Sequence, residues 1–162
     1  MGVGPRPSPE ELDPNLTDAG KQPITALPGA SYFDSSQAFG MIRGRHIDVA
    51  VLGALQVSEK GDLANWAVPG SDVLGVGGAM DLAAGARRVI VAMMHTDSSG
   101  ASKLVPSCSF PLTARARVST VVTELAVFDV RPSGLVLKDL QPGIDLAEVR
   151  ARTAVTFGVE WE

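Results

Sequence analysis

Ile47-Asp48-Val49-Ala50-Val51-Leu52-Gly53-Ala54-Leu55 opens the stretch whose reading decides the fold, and Arg88-Val89-Ile90-Val91-Ala92-Met93-Met94 closes it. Between them the chain passes through Val57-Ser58-Glu59-Lys60-Gly61-Asp62-Leu63-Ala64-Asn65-Trp66 and then Leu74-Gly75-Val76-Gly77-Gly78-Ala79-Met80-Asp81-Leu82-Ala83-Ala84-Gly85-Ala86. The outer runs are short, apolar and rich in Val and Ile, which predicts buried strands. The Ala-rich run after the glycine cluster predicts a turn opening a helix. Strand, loop, helix, strand is a βαβ unit, with parallel strands and a right-handed crossover. Ligands of such units meet the strand ends and the helix N-terminus.

Working outward from that unit, Asp34 to Arg43 predicts a helix, with Asp34 and Gln37 as a capping box, Phe39 and Ile42 on one face, and Gly44 as terminator. Ile24 to Leu27 predicts a short strand ended by Pro28-Gly29. Pro5, Pro7, Pro9 and Pro14 hold residues 1–15 in an exposed or edge-lying loop. On the other side, Thr96 to Ala101 is a polar turn, and Pro111 keeps Cys108 to Thr113 extended. Val118, Val121, Val122 and Leu125 have helical spacing but strand-favouring side chains, so both readings stay open. Leu125 to Val130 and Leu135 to Leu140 flank Arg131-Pro132-Ser133-Gly134, a hairpin signal. Asp145 and Glu148 form a second capping box, for a last helix carrying Leu146 and Val149. The tail from Thr153 gives no signal. The whole is an α/β chain, with a mostly parallel sheet and flanking helices, and residues 1–162 read as a single domain.

Composition narrows the function. Hydrophobic residues make up 45% and charged residues 20%, a folded globular balance. A net charge of −4 without a basic block argues against a nucleic-acid partner. No apolar run approaches the roughly 20 residues of a membrane helix, so no membrane role is expected. The single cysteine, Cys108, excludes an internal disulfide and fits a reducing, cytoplasmic setting. Cys108 has no Cys/His pattern to activate it, and no set of residues has metal spacing.

Gly75-Val76-Gly77-Gly78 is a site candidate, and such a turn equally serves only to allow tight strand–helix packing. Glycines let the backbone approach a ligand, and amides at a helix start can stabilise an anion or oxyanion. The cluster is neither a dinucleotide fingerprint, since Met80 stands at the third glycine, nor a P-loop. Asp81 in the first helical turn suits the macrodipole, and Glu59 and Asp62 beside Lys60-Gly61 suit a solvated turn. His95, at a strand end near the expected crevice, is read as a polar strand end before a catalyst. Asn65-Trp66 either contacts a ligand or covers the core.

Several ordered blocks carry a resemblance: Asp18-Ala19-Gly20-Lys21, Leu27-Pro28-Gly29-Ala30-Ser31-Tyr32-Phe33, Met41-Ile42-Arg43-Gly44, and Leu52-Gly53-Ala54-Leu55-Gln56-Val57-Ser58. Gly61-Asp62-Leu63-Ala64-Asn65-Trp66, Gly77-Gly78-Ala79-Met80-Asp81-Leu82, Pro111-Leu112-Thr113 and Ala126-Val127-Phe128-Asp129-Val130 complete them. From Gly2 to about Arg152 the chain resembles the B subunit, or C-terminal half, of the 3-oxoacid CoA-transferases, which include succinyl-CoA:3-oxoacid and succinyl-CoA:3-oxoadipate enzymes. The resemblance implies the CoA-transferase (isomerase/CoA-transferase-like) fold and an A subunit as partner. It implies transfer of CoA from succinyl-CoA to a 3-oxo acid, acetoacetate or 3-oxoadipate, through a covalent glutamyl intermediate. CoA is then a substrate, and no cofactor is expected. Gly78 matches the glycine whose backbone amide polarises the thioester carbonyl; Lys21, Asn65, Gly77 and Ala79 match positions at the CoA and acyl site. A sugar-phosphate isomerase of related fold is disfavoured, because the matching blocks are those of the transferases.

The resemblance also shows a departure. The nucleophilic glutamate of the family sits in a Glu-Asn-Gly motif ahead of Leu-Gly-x-Gly-Pro, and here the frame starts at Met1-Gly2-Val3-Gly4-Pro5. The glutamate is therefore expected upstream of Met1, and none of Glu10, Glu11 or Glu59 takes its role. The resemblance thus implies a fold incomplete at its N-terminus, through either a start set at an internal methionine or a true fragment. The second case implies a catalytically inactive remnant or a structural partner of the A subunit. An incomplete sheet is expected to expose an edge and lower solubility. On this expectation, the 162-residue chain mixed with an A subunit gives no CoA transfer, and turnover above background in a coupled thioester assay would refute the missing nucleophile.

Overall fold

A computed structural model describes residues 2–18, 20–70 and 75–160; Ala19 and Leu74 of the stretches quoted above, and the end of the tail, lie outside the described residues. Contacts divide the chain into two compact units, Met1–Ala38 and Phe39–Glu162.

The first unit is an irregular, proline-limited pairing of two extended segments. The Gly4 amide donates to Thr25 O at 2.7 Å, Thr25 returns a bond to Pro5 O at 2.9 Å, and Leu27 donates to Gly2 O at 2.9 Å. The strand expected at Ile24 to Leu27 is reduced to isolated bridges, Val3 with Ala26 and Thr17 with Pro23. Pro5 and Pro23 have no amide to donate, so the ladder cannot lengthen. Pro28-Gly29 closes the turn as expected, with Gly29 at φ 83° and Ala30 donating to Leu27 O.

Helix α1 (Ser35–Arg43) starts where Asp34 accepts the Gln37 amide at 2.8 Å. Its end corrects the expectation for Gly44. The left-handed residue is Arg45, at φ 60°, with Arg45 donating to Ile42 O and His46 to Met41 O, a Schellman closure. Gly44 is required for space, since a Cβ there would stand 2.9 Å from the His46 ring.

The βαβ expectation is met in β1 (Val49–Leu52), α2 (Ala79–Gly85) and β4 (Arg88–Ala92), with β1 and β4 parallel. The connecting loop holds more structure than its sequence signalled. Strands β2 (Gln56–Ser58) and β3 (Leu63–Ala64) pair antiparallel there, and β5 (Leu104–Val105) joins β2 in parallel to make a separate three-stranded sheet. The open reading at Val118 resolves as strand β6 (Val118–Val122), because its Val and Thr side chains fit between β4 and a hairpin partner. The hairpin is β7 (Ala126–Arg131) and β8 (Gly134–Leu140), closed by Pro132-Ser133 with Gly134 at φ 111°. Helix α3 (Leu146–Arg152) begins at Asp145, whose carboxylate accepts the Glu148 amide at 2.7 Å. The tail, which carries no signal of its own, forms β9 (Phe157–Val159), parallel to β8. Arg131 and Lys138 grip Glu160 beyond it, and those hydrogen bonds pull the Glu160 carboxyl down to about 2.

The main sheet runs β1-β4-β6-β7-β8-β9, mixed α/β with three of its five pairings parallel. Val89, Val91, Val121, Phe128, Leu137 and Val149 are fully buried between sheet and helices. Alternation along β1 buries Ala50 but leaves Val49 and Val51 exposed on the other face, at an end of the sheet order. No described helix is long and apolar enough to cross a membrane.

Helices α1 and α2 touch backbone to backbone at a glycine. A Cβ on Gly85 would stand 2.8 Å from the Ile42 carbonyl carbon, which belongs to α1 and cannot rotate away. Gly85→Ala is expected to destabilise the chain by ~3 kcal/mol in urea unfolding, against the ~1 kcal/mol gained when an unhindered helical Gly becomes Ala. An unchanged midpoint would show that the helices separate without cost.

Candidate functional site

The glycine turn before α2 has three distinct requirements. Gly75 and Gly77 adopt φ 115° and 59°, the left-handed region that side chains disfavour. Gly78 has an ordinary φ of −91° and is the N-cap residue; it is held instead by crowding, since a Cβ would stand 2.5 Å from Phe39 Cζ. Its carbonyl accepts the Leu82 amide at 3.1 Å and so starts the helix. Among the described residues, no hydrogen bond takes up the Gly77 or Gly78 amide. A pair of such donors at a helix start suits an anionic or strongly polarised oxygen.

Two arginines whose sequence positions do not mark them for this role bond to α2. Arg43 makes a fork on Asp81, Nε to Oδ1 at 2.7 Å and Nη2 to Oδ2 at 3.1 Å. That hydrogen bonding draws the Asp81 carboxyl below and the Arg43 guanidinium above their usual ranges. At the other end Arg117 donates to the carbonyls of Ala83, Ala84 and Ala86, a cation where the helix dipole is negative. The available signal was a basic residue in the last turn of α1 and before a strand; nothing in its spacing pointed to α2.

Ala79 is the first residue of α2, contiguous with Gly77 and Gly78. Asn65 follows β3 and is tied on both sides of its amide: Nδ2 donates to Gly53 O at 3.1 Å and Oδ1 accepts from Thr113 Oγ1 at 2.5 Å. Trp66 donates to Leu112 O at 3.3 Å, so this pair also fastens the loop to residues 112 and 113. Lys21 belongs to the first unit, at φ 62° on the turn where its amide donates to Asp18 O. Asp62 accepts the Ala116 amide at 2.9 Å, as a turn residue does. A cleft of about 640 Å³ lies elsewhere, over Val118, Val130, Leu135 and Phe157, and none of the expected site residues lines it.

Cys108 is half-buried with its thiol pushed up to about 11 by burial, the reverse of an activated nucleophile. Among the described residues no three His, Cys, Asp or Glu side chains gather as metal ligands. His95 is fully buried. Its Nε2 meets Thr153 Oγ1 at 2.9 Å and its Nδ1 meets Thr123 Oγ1 at 3.1 Å. Thr153 donates its one hydrogen to Val149 O at 2.6 Å, so Nε2 must carry the ring proton. In the neutral ring Nδ1 accepts from the Thr123 hydroxyl, whose oxygen accepts the Leu125 and Ala126 amides and whose hydrogen has Ala126 O, at 3.2 Å, as a second acceptor. His95 thus joins β4 to the β6–β7 turn and to the end of α3.

A family model described as Coenzyme A transferase matches residues 1–152. The chain is 49% identical over 159 residues to the B subunit of the probable succinyl-CoA:3-ketoacid coenzyme A transferase of Bacillus subtilis, covering 98% of this chain and 74% of that one. It is 50% identical over 157 residues to the B subunit of the 3-oxoadipate CoA-transferase of Pseudomonas putida, covering 96% and 73%. Among solved structures, acyl-CoA transferase (YdiF) from Escherichia coli O157:H7 shares the fold at a TM-score of 0.70 and 19% identity, over 90% of this chain and 32% of that one.

The geometry at His95 sets a pH dependence. Burial holds the imidazole below its usual range; the nearby Glu124 carboxylate opposes that and Arg152 reinforces it. A group whose folded pKa is depressed stabilises fully above its unfolded value near 6.5 and loses that stability as pH falls toward the folded value. The His95 contribution to unfolding free energy is expected to be flat well above pH 6.5 and to fall as pH drops below it, with a slope short of the ~1.4 kcal/mol per pH unit of one whole proton. His95→Gln should remove that component of the slope; an identical pH profile in the variant would refute it.

Proposed function

The chain belongs to the coenzyme A transferase family, and we propose that within it the chain acts as the B subunit of a heteromeric enzyme that moves CoA from succinyl-CoA to a 3-oxo acid. The observation that carries the reading is the Gly77-Gly78 turn, with amides that no described residue occupies and a backbone pinned by Phe39. Acyl transfer from a thioester passes through a tetrahedral intermediate, and the Gly78 amide donates to its oxyanion. A carboxylate nucleophile adds to the thioester carbonyl and the CoA thiolate leaves, giving a mixed anhydride. The thiolate then attacks the enzyme side of the anhydride and releases succinate. The acceptor carboxylate takes the acyl place in turn, and CoA thiolate completes the exchange. Net, one thioester is broken and one is formed, with no redox change.

Gly77, Ala79, Asn65 and Lys21 are assigned to the CoA and acyl site by their match to the family, and the nucleophile to none of Glu10, Glu11 or Glu59. Lys21 supplies a cation for a carboxylate or a CoA phosphate. Asn65 has a donor hydrogen beyond its bond to Gly53 O for a ligand. An A subunit is the partner, no resident cofactor is needed, and the setting is cytoplasmic.

The test is CoA transfer by the complex purified from its own organism, with acetoacetate and 3-oxoadipate compared as acceptors of CoA from succinyl-CoA. Transfer to neither acid overturns the reading. Gly78→Ala keeps the amide but drives it off the Phe39 ring, so kcat is expected to fall about 100-fold. Adding Phe39→Leu, which shortens the opposing side chain, should recover part of that loss. Equal kcat in Gly78→Ala and the parent would remove Gly78 from the site.

A further inference from the structure

The first turn of α2 contains a contradiction of ordinary helix chemistry. Gly78 is the N-cap and Asp81 the third helical residue, the position from which an acidic side chain reaches back to the N-cap amide. That closure is absent. Both Asp81 oxygens are engaged by Arg43 instead, and the Gly78 amide has no partner among the described residues. The Arg43 and Asp81 side chains are 65% and 32% exposed, a setting in which an ion pair adds little to stability. The fork is therefore poorly explained as a structural brace for the fold.

We propose that Arg43 is a positioning residue that withholds the Asp81 carboxylate from the Gly78 amide and keeps that donor available to substrate. The inference rests on the reading that Gly78 serves the thioester oxygen. Three features of α1 support it. Phe39 fixes the Gly78 backbone, Ile42 lies against Gly85, and Arg43 reaches Asp81, so one helix sets the height, spacing and hydrogen-bond state of the next. A planar guanidinium can occupy both carboxylate oxygens at once, which an ammonium cannot do in the same geometry. The fork also offsets a negative charge that would otherwise oppose an oxyanion in the same turn.

The consequence is an unusual mutational signature. In Arg43→Gln the released carboxylate folds back onto the Gly78 amide, which caps the helix and blocks the site. The urea unfolding midpoint should be unchanged. In the native complex kcat should fall about ten-fold, with KM for succinyl-CoA changed less than about two-fold. Arg43→Gln/Asp81→Ala has no carboxylate to fold back and should return kcat to within about three-fold of the parent.

Amide hydrogen exchange followed by NMR on the 162-residue chain gives an arm independent of catalysis. Exchange at Gly78 should slow about ten-fold in Arg43→Gln and recover in the double variant. Unchanged Gly78 exchange in Arg43→Gln overturns the inference, as does a double variant no faster than the single one. A parent complex without CoA transfer overturns the functional reading instead, and the exchange arm alone then decides whether Arg43 withholds Asp81.

Discussion

Parallel pairing of β1 with β4 is the constraint from which the second unit is built. Parallel neighbours cannot be joined by a tight turn; the chain must leave the sheet and return on the same side. The excursion from Leu52 to Arg88 is where the molecule puts its glycine turn, two of the three strands of its second sheet, and α2. Each of those parts then needs its own anchor, because a long connection closed only at its ends would be a loop. Asn65 and Trp66 fasten its first half to residues 112 and 113. Arg117 fastens α2 at its C-terminal end.

Close approach makes those anchors work. Seven-residue α2 is too short to be stable by propensity and depends on tertiary contact. Gly78 and Gly85 give α1 access to the α2 backbone, one against the Phe39 ring and the other against the Ile42 carbonyl. Between them stands the Arg43–Asp81 fork. The proposed chemistry needs a donor that is rigid and unoccupied, and these are opposed demands, since an unoccupied amide ordinarily recruits the nearest acceptor. Rigid packing meets the first demand and diversion of Asp81 meets the second.

The buried polar groups follow the same logic of complete partnering. No described buried side-chain nitrogen or oxygen lacks a partner. His95 is the clearest case: a titratable ring in the core, with both nitrogens bonded to threonine hydroxyls. It works as a strut because it is neutral, and the proton it excludes is what makes it unsuited to acid–base duty. Cys108, with its thiol shifted upward, is silent for a related reason.

Sequence by itself determined the elements whose signals are local. The Asp34 and Asp145 caps, the Pro132-Ser133 hairpin, the parallel β1–α2–β4 unit and the glycine turn follow from residue type and period, and the ordered blocks identify the family. Tertiary structure alone decided what depends on a neighbour distant in sequence. Strands β2, β3 and β9 are two or three residues long, below the length at which alternation is readable, and exist because a partner strand is adjacent. Val118 to Val122 became strand because β4 and β7 flank it. The left-handed residue after α1 fell on Arg45, where the amides of Arg45 and His46 close back onto Ile42 and Met41. Gly78 could be named from the sequence, but not the reason its amide is unoccupied, because Arg43 and Asp81 are separated by 38 positions and their fork forms only when two helices pack.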